Sequence, residues 1–379
     1  MSLGLLSFET CFEEVEDPRV QGRTTYPLHT ILFIAMAATV CGADGPEDME
    51  EFARSKRAWL KQFIDLSHGI PSHDTLGRVL GMIKPKQFQD AFLRWLEELS
   101  NIADSDGRSV FVAIDGKTMR GSYDQVDKSD MLHIVSAWAT QQGVTLGQVA
   151  VDDKSNEVTA IPELLEMLEL TGAIVSIDAM GCQRAIASKI VRGGGDYVLQ
   201  VKKNQKSLHA AIESAFEDAD NNRRRYKMKQ RKTKDRSRGR DEARQYNVMP
   251  IPKSFPQSDL WRNLACIGRV QRTVEQGENL RTETSYYISS LAPDTELFIT
   301  GVRGHWSIEN SLHWVMDVVF NEDKTRHRKD HRAENISFLR RFVISLLKQD
   351  TYKASMKQKR KKAGWNTEFL EKLLFQNAF

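Results

Sequence analysis

The chain has 379 residues, 40% of them hydrophobic, with a formal net charge of +3. This length predicts two or three domains, and the composition is that of an ordinary globular protein. The four cysteines lie far apart with no CxxC pair, which argues against a zinc ribbon or a disulfide framework and favours a reducing cytoplasm.

Residues 1–105 are predicted to form an all-helical domain. The apolar stretch 26–40 predicts a buried helix that starts near Pro27, because its 15 residues fall short of the ~20 that a bilayer crossing needs. No membrane partner is therefore expected, and the acidic start of the chain predicts no secretion signal. The motif HGIPSHDT (68–75) suggests either a metal site at its histidines and Asp74 or a helix cap at Ser72 or Asp74.

Residues 106–205 carry the strand pattern of the chain. The segments FVAID, MLHIVSAWA and GVTLGQVAV predict three strands, followed by a helix opened by Pro162, a strand AIVSIDA, a second helix and a strand DYVLQVK. Three strands followed by alternating helix and strand is the element order of a ribonuclease-H-like core. The predicted fold class is therefore α/β.

The remainder of the chain is expected to complete this core around an insertion. Residues 206–300 are predicted to be a basic, β-rich insertion, in which the segment 223–244 carries 12 Lys and Arg against three acids and almost no apolar residues. Such a segment cannot pack a core. Residues 301–350 are predicted to supply the closing helices of the core, one of them from about 303 to 320, and residues 351–379 a basic C-terminal tail.

Two aspartates lie at predicted strand ends. Asp115 ends the apolar run 110–114 and is followed by Gly116, and Asp178 ends the run 173–177 just before a helix. Ligands bind at the carboxyl ends of strands in open α/β sheets, so both positions suit a functional carboxylate. The alternatives are an ordinary Asp-Gly turn for Asp115 and a helix cap for Asp178.

A third carboxylate, Glu309, lies in a predicted helix with His313 and Asp317 on the same face. The neighbouring apolar residues make full exposure of this face improbable, and burial of a carboxylate requires a cation. His313 is open to three interpretations: metal ligand, phosphate donor or core histidine. If Asp115, Asp178 and Glu309 converge, they form an oxygen cage for divalent metal, which suits phosphoryl transfer on a nucleic acid.

Basic residues near these carboxylates predict phosphate contacts. The runs at 223–244, 324–332 and 353–362 could be solubilising surface, but beside an acidic triad they favour a footprint for the DNA backbone. The individual residues expected to contact DNA or phosphate are Lys117, Arg120, Lys203, Arg240, His305, His313 and Arg326.

Nine segments spread over nearly the whole chain resemble the H-repeat-associated (Rhs-element-associated) transposases, a group of bacterial insertion-sequence DDE transposases. The segments are DPRVQGRTTYPL, CGADGPEDMEEF, HGIPSHDT, AIDGKTMRGS, KSNEVTAIPELLEML, IDAMGCQ, GGGDYVLQVKKNQ, YYISS and HWSIENSLHWVMDVVFNED. The resemblance implies that Asp115, Asp178 and Glu309 occupy the three DDE positions of a ribonuclease-H-like catalytic domain.

The same resemblance implies an activity, cofactors and partners. The expected enzyme cuts and joins DNA strands at the ends of its element with two Mg²⁺ ions, or Mn²⁺, held by the three acids. The expected partners are double-stranded DNA at terminal repeats, recognised by the N-terminal domain and the insertion, target DNA, and a second copy of the chain. The expected location is the cytoplasm, at the nucleoid. The alternatives are a structure-specific nuclease, a catalytically silent DNA-binding relic and a scaffold protein.

The chain departs from the wider transposase group around Glu309. Val302, His305 and Met316 stand where that group has Tyr, Arg and Lys, and the His-Gly-Arg motif of the insertion reads Arg-Gly-Arg at 238–240. The missing phosphate contacts are expected from His305, His313 or Arg303.

Overall fold

The computed structural model describes residues 3–20, 22–100, 110–120, 131–151, 156–237, 240–276, 279–324 and 330–375. Its N-terminal part is helical, as expected. The six helices are α1 (Leu3–Glu13), α2 (Leu28–Cys41), α3 (Pro46–Ser55), α4 (Arg57–Leu60), α5 (His73–Met82) and α6 (Pro85–Ser100).

Local sequence signals set the bounds of these helices. Helix α2 starts after Pro27, ends at Gly42 with a φ of 119°, and is buried along most of its length. Ser72 caps α5, since its hydroxyl accepts the Thr75 N–H at 3.4 Å. The HGIPSHDT motif is therefore a helix start, and His73 pairs with Glu50 at 2.7 Å. Within the described ranges no single helix is long and apolar enough to cross a bilayer, although α2 and α3 together, bent by 92°, reach that length and composition.

The core elements follow the predicted order. They are β1 (Phe111–Thr118), β2 (His133–Ala139), β3 (Val144–Val151), α7 (Glu157–Glu166), β4 (Ile174–Ile177), α8 (Arg184–Arg192) and β5 (Asp196–Val201). Strand β1 pairs antiparallel with β2 and parallel with β4, and β4 pairs parallel with β5. Helix α7 starts earlier than the sequence predicted, before Pro162, because the Asn156 side chain caps it by accepting the Val158 N–H at 3.0 Å.

The insertion does not form a separate body but extends the core sheet. After α9 (Lys206–Asn221) and α10 (Arg223–Tyr226) come four long strands, β6 (Lys229–Ser237), β7 (Arg240–Pro250), β8 (Cys266–Gln276) and β9 (Asn279–Ser289). Because β9 pairs antiparallel with β5, the sheet has nine strands in the order β3-β2-β1-β4-β5-β9-β8-β7-β6. The described residues of β6 are largely exposed, as the composition of 223–244 predicts.

The closing region departs from the prediction of one helix over 303–320. Helix α11 (Thr295–Ile308) begins earlier and is followed by one π-helical turn, Glu309–His313, and by α12 (Trp314–Val318). Helix α13 (Arg332–Gln349) is buried over most of its length, including Arg340 and Arg341. It packs on α2, α5 and α6, so the N-terminal helices and the closing helices share one hydrophobic core.

The C-terminal segment differs from the expected basic tail. Residues 356–375 form α14 (Met356–Trp365) and α15 (Thr367–Phe375), which pack on α2. The Lys359 ammonium donates to the carbonyls of Leu347 and Asp350, and the Arg360 guanidinium donates to that of Thr39. These two basic side chains are buried and hold the fold together, so they are not part of a DNA footprint.

Candidate active site

Asp115 and Asp178 lie side by side where the parallel pairing of β1 and β4 ends. The sequence predicted that Asp115 ends its strand, but β1 continues to Thr118 through its pairing with β2. The parallel register of β1 and β4 pairs Ile114 with Ile177, and each aspartate is the next residue along its strand. Neighbouring strands are about 4.8 Å apart, so the two backbones present their carboxyl groups to the same space. Asp178 also accepts the backbone N–H groups of Met180 and Gly181, at 2.9 and 3.4 Å, which fixes the loop that follows β4.

Glu309 reaches this edge on the helix that crosses the sheet. Helix α11 packs on β1 and β4. It approaches the sheet closely through glycines: a Cβ at Gly301 would lie 3.1 Å from Val198, and one at Gly304 would lie 3.1 Å from Thr140. Glu309 is exposed at the first position of the π-helical turn, a feature that is often found at functional sites.

Asp115 is the electrostatic centre of the site. Its side chain is 19% exposed, and burial raises its pKa to about 7. The Gly116 N–H opposes this shift, while the negative charges of Asp178, Glu157 and Glu309 add to it. The pKa of Asp115 is therefore raised by the charges of both predicted partners, Asp178 and Glu309. Negative charges that act together on a partly buried carboxylate form an environment that a divalent cation stabilises.

Two histidines adjoin the acids without neutralising them. His313 Nδ1 lies 3.5 Å from Asp115 Oδ2, and burial lowers the His313 pKa to about 3. Burial also lowers the pKa of His305, which lies close enough to Asp178 to sense its charge. Both imidazoles are therefore neutral near pH 7. The shared face of Glu309, His313 and Asp317 is only partly realised, since His313 and Asp317 turn toward β1 and Glu309 lies at the exposed rim.

One further pair beside Asp115, His133 with Glu157, was not predicted from the sequence. His133 Nε2 lies 2.8 Å from Glu157 Oε1, and its Nδ1 lies 2.8 Å from the Thr118 hydroxyl. A Cβ at Gly116 would overlap both His133 and Glu157, so this pair packs directly on the backbone that follows Asp115. The separation of 24 residues between His133 and Glu157 leaves no local pattern from which the contact could be predicted.

The predicted phosphate contacts divide into several classes. Lys117 was predicted to contact phosphate, but its side chain is only 8% exposed and its ammonium pairs with Asp317 at 2.7 Å. As placed, it cannot reach a phosphate. Arg120 is 81% exposed and Lys203 is exposed just beyond β5, so both can. Arg326 and the Arg240 side chain lie outside the described residues.

The positions that depart from the wider transposase group offer few replacements. Val302 and Met316 are buried core residues, and the neutral His305 is partly buried. Arg303 is 46% exposed and lies 3.2 Å from Asp235.

The fit of a divalent metal rests on the donor set. Three carboxylates supply only hard oxygen ligands, and the proximity of negative charges to the buried Asp115 is relieved by a cation. As placed, no group of three His, Cys, Asp or Glu side chains in the described ranges is close enough to share an ion. Glu309 is exposed and has three side-chain torsions, so its carboxylate is the least constrained of the three predicted ligands.

Comparisons with known proteins agree on one family. The model of the Transposase DDE domain matches residues 106–347, and the DDE_Tnp_1-associated model matches residues 9–96. YncI of Escherichia coli O157:H7, named as a proposed transposase, is 40% identical over 95% of this chain and 92% of its own. The H repeat-associated protein YhhI of Escherichia coli K12, also named as a proposed transposase, is 37% identical over 95% of both chains.

Among solved structures, a piggyBac transposase synaptic complex with hairpin DNA aligns with a TM-score of 0.43 at 10% identity, over 100% of this chain and 80% of that one. A likeness of this strength supports no residue-level comparison.

Proposed function

The chain belongs to the family of transposases with a DDE domain, and from this membership we propose a mechanism in which Asp115, Asp178 and Glu309 are its catalytic acids. It is a DNA transposase of the insertion-sequence type. The observation that carries the assignment of the acids is the electrostatic environment of Asp115, which senses Asp178 across one strand spacing and Glu309 from the crossing helix.

The three acids would hold two divalent cations, Mg²⁺ or Mn²⁺. Such a pair would activate an attacking hydroxyl and stabilise the leaving oxygen in an in-line displacement at phosphorus. The residues of the chain supply position: β1 and β4 fix Asp115 and Asp178, and Glu309 closes from the rim. His313, neutral and mostly buried 3.5 Å from Asp115, adds no positive charge that would oppose cation binding there.

The core that presents these acids is proposed to be ribonuclease-H-like. Its support is the strand order 3-2-1-4-5, in which the first three strands are antiparallel and the next two pairings are parallel. The N-terminal helices and the insertion are proposed to recognise the element ends. Arg120, Lys203 and the exposed strand β6 supply positive charge on the surface for the phosphate backbone.

The assembly and location follow from the reaction. Joining two element ends requires both in one synaptic complex, so the active form is proposed to contain two copies of the chain. Target and terminal-repeat DNA are both duplex substrates in this scheme. The protein would act in the cytoplasm, at the nucleoid.

Isosteric removal of each charge tests the mechanism. Asp115→Asn, Asp178→Asn and Glu309→Gln should each abolish Mg²⁺-dependent cleavage of duplexes that carry the element ends, while gel-shift affinity for the same duplexes is retained. Glu368→Gln, on the exposed face of α15, is the matched control and should cleave as wild type does. Full cleavage by any of the first three variants would remove that residue from the catalytic set.

The products distinguish the remaining alternatives. Cleavage of branched DNA without joining of ends would assign a structure-specific nuclease. Binding of end DNA without cleavage by the wild-type chain would assign a catalytically silent DNA-binding protein.

A further inference from the structure

The indole of Trp306 lies against two guanidinium groups of the insertion sheet, those of the cross-strand partners Arg244 and Arg272. Arg244 Cζ, from β7, is 4.9 Å from the ring centroid, and Arg272 Cζ, from β8, is 5.2 Å from it. Both separations fall within the ~6 Å range of cation–π attraction. Trp306 is in the last turn of α11, and Glu309 follows three residues later.

Acidic side chains hold both guanidinium groups in place. Glu242 accepts two hydrogen bonds from Arg272, at 3.0 and 2.9 Å, and also pairs with Arg244. Asp235 of β6 accepts from Arg244 at 2.9 Å and from Arg303 of α11 at 3.2 Å. Arg244 is only 13% exposed. These arginines of a basic insertion are therefore committed to contacts within the protein.

Close packing against the core strands fixes the part of α11 that precedes Trp306. Gly301 and Gly304 bring the helix against Val198 and Thr140, where added side chains would crowd the sheet. Helix α11 therefore contacts both the core strands and the insertion strands of the sheet. The Asn310 side chain, in the π-helical turn, donates to the Trp306 carbonyl at 3.2 Å and ties that turn to the same point.

We propose that Trp306, through its contacts with Arg244 and Arg272, is a positioning residue through which the insertion sheet holds Glu309 at the active site. The proposal rests on the proposed function, since it takes Glu309 as a catalytic acid. It assigns the insertion a role beyond DNA contact: its strands support the helix that completes the site.

Hydrogen–deuterium exchange of the full-length protein without DNA tests directly whether the Trp306 contacts stabilise this end of α11. In Trp306→Ala, amides 305–313 should exchange about tenfold faster or more, because two cation–π contacts no longer oppose local opening. Amides of α13 should keep their wild-type rates. Trp306→Phe retains an aromatic face, so its exchange rates over 305–313 should lie between those of wild type and Trp306→Ala. Trp365→Ala, which removes a 79% exposed indole from α14, is the matched control. Unchanged exchange over 305–313 in Trp306→Ala would overturn the proposal.

Cleavage kinetics then test the link to catalysis. At saturating end duplex, Trp306→Ala should lower kcat about 10- to 100-fold, with KM for the duplex changed by less than about twofold, as expected for loss of support to a metal ligand. Trp306→Phe should recover most of the rate. Faster exchange with a wild-type kcat would also overturn the proposal. If the wild-type chain cleaves no end duplex, the proposed function fails, and the exchange measurement alone decides whether Trp306 holds the segment that carries Glu309 in place.

Discussion

Substitution of Lys117 by methionine should destabilise the fold beside the active site. The Lys117 ammonium lies 2.7 Å from Asp317, 3.3 Å from Glu322 and 3.4 Å from Asp323. Glu322 and Arg341 are fully buried, and their side chains lie 3.5 Å apart. This buried charge cluster joins β1 to the segment after α12 and to α13. Methionine fills a similar volume but leaves the three carboxylates without the ammonium.

The expected loss comes from removing one partner of a buried ion pair, which costs about 3–5 kcal/mol. Two features place it at the lower end. Asp317 and Asp323 are 39% and 29% exposed, so water replaces part of the lost interaction. Glu322 keeps Arg341 and a 2.6 Å hydrogen bond from Ser337. We therefore expect Lys117→Met to lower the free energy of unfolding by about 3 kcal/mol at pH 7.

Urea unfolding, followed by circular dichroism and by tryptophan fluorescence, measures this loss where the two transitions coincide. Arg120→Met is the matched control: its side chain is 81% exposed and 3.9 Å from Asp323, so it should change stability by less than about 0.5 kcal/mol. A Lys117→Met chain whose free energy of unfolding lies within about 1 kcal/mol of wild type would refute the reasoning. The ion pairs of Lys117 would then contribute no more than exposed salt bridges usually do.

The pH dependence of the same difference is a second check. Burial acts to raise the pKa of Glu322, but Arg341 and Lys117 hold it below its ordinary value. A carboxyl whose pKa is lowered on folding adds stability above its unfolded pKa, about 4.3, and loses it as the pH falls through the folded value. The gap between wild type and Lys117→Met should therefore be largest at pH 7 and shrink below about pH 4. A gap that widens on acidification would contradict this account.

Three further outcomes are expected. Gly268→Ala should lower the free energy of unfolding by about 1–3 kcal/mol, measured by urea unfolding, because the new Cβ would overlap the rigid Phe298 ring under α11. Hydrogen bonds from two lysines outweigh burial and lower the pKa of Asp350, so the destabilisation in Asp350→Asn should be complete at pH 7 and decrease as the pH falls below about 4. Lys232→Ala, on exposed β6, should weaken binding of all duplexes alike and reduce the salt slope of log Kd by about one, and an unchanged slope would exclude a phosphate contact there.

The sequence predicted the family and the local elements well because both depend on short-range pattern. Apolar runs of strand length ending in Asp115 and Asp178, and turn residues between them, specify strands without knowledge of their neighbours. The resemblance to H-repeat-associated transposases is confirmed by the domain match over residues 106–347 and by relatives at about 40% identity. The element order also predicted the mixed α/β sheet that the structure shows.

The predictions from sequence were least accurate for basic residues, because a sequence does not show which acidic or carbonyl groups pair with them. Lys117, Lys359 and Arg360 are basic residues that composition assigns to a phosphate surface, yet all three are buried and bound within the protein. Charges can be counted from a sequence, but their burial and pairing depend on tertiary contacts, such as that of Lys117 with Asp317, about 200 positions further along the chain.

By itself the sequence determined most of the strands and helices, the family to which the chain belongs, and that two acids follow apolar, strand-like runs. Tertiary structure alone decided that β1 and β4 are adjacent and parallel, that a π-helical turn begins at Glu309, and that Trp306 contacts two arginines of the insertion. The reason is physical. Backbone propensity acts over a few residues, whereas register, burial and electrostatic coupling arise only when distant segments share one core and exclude water.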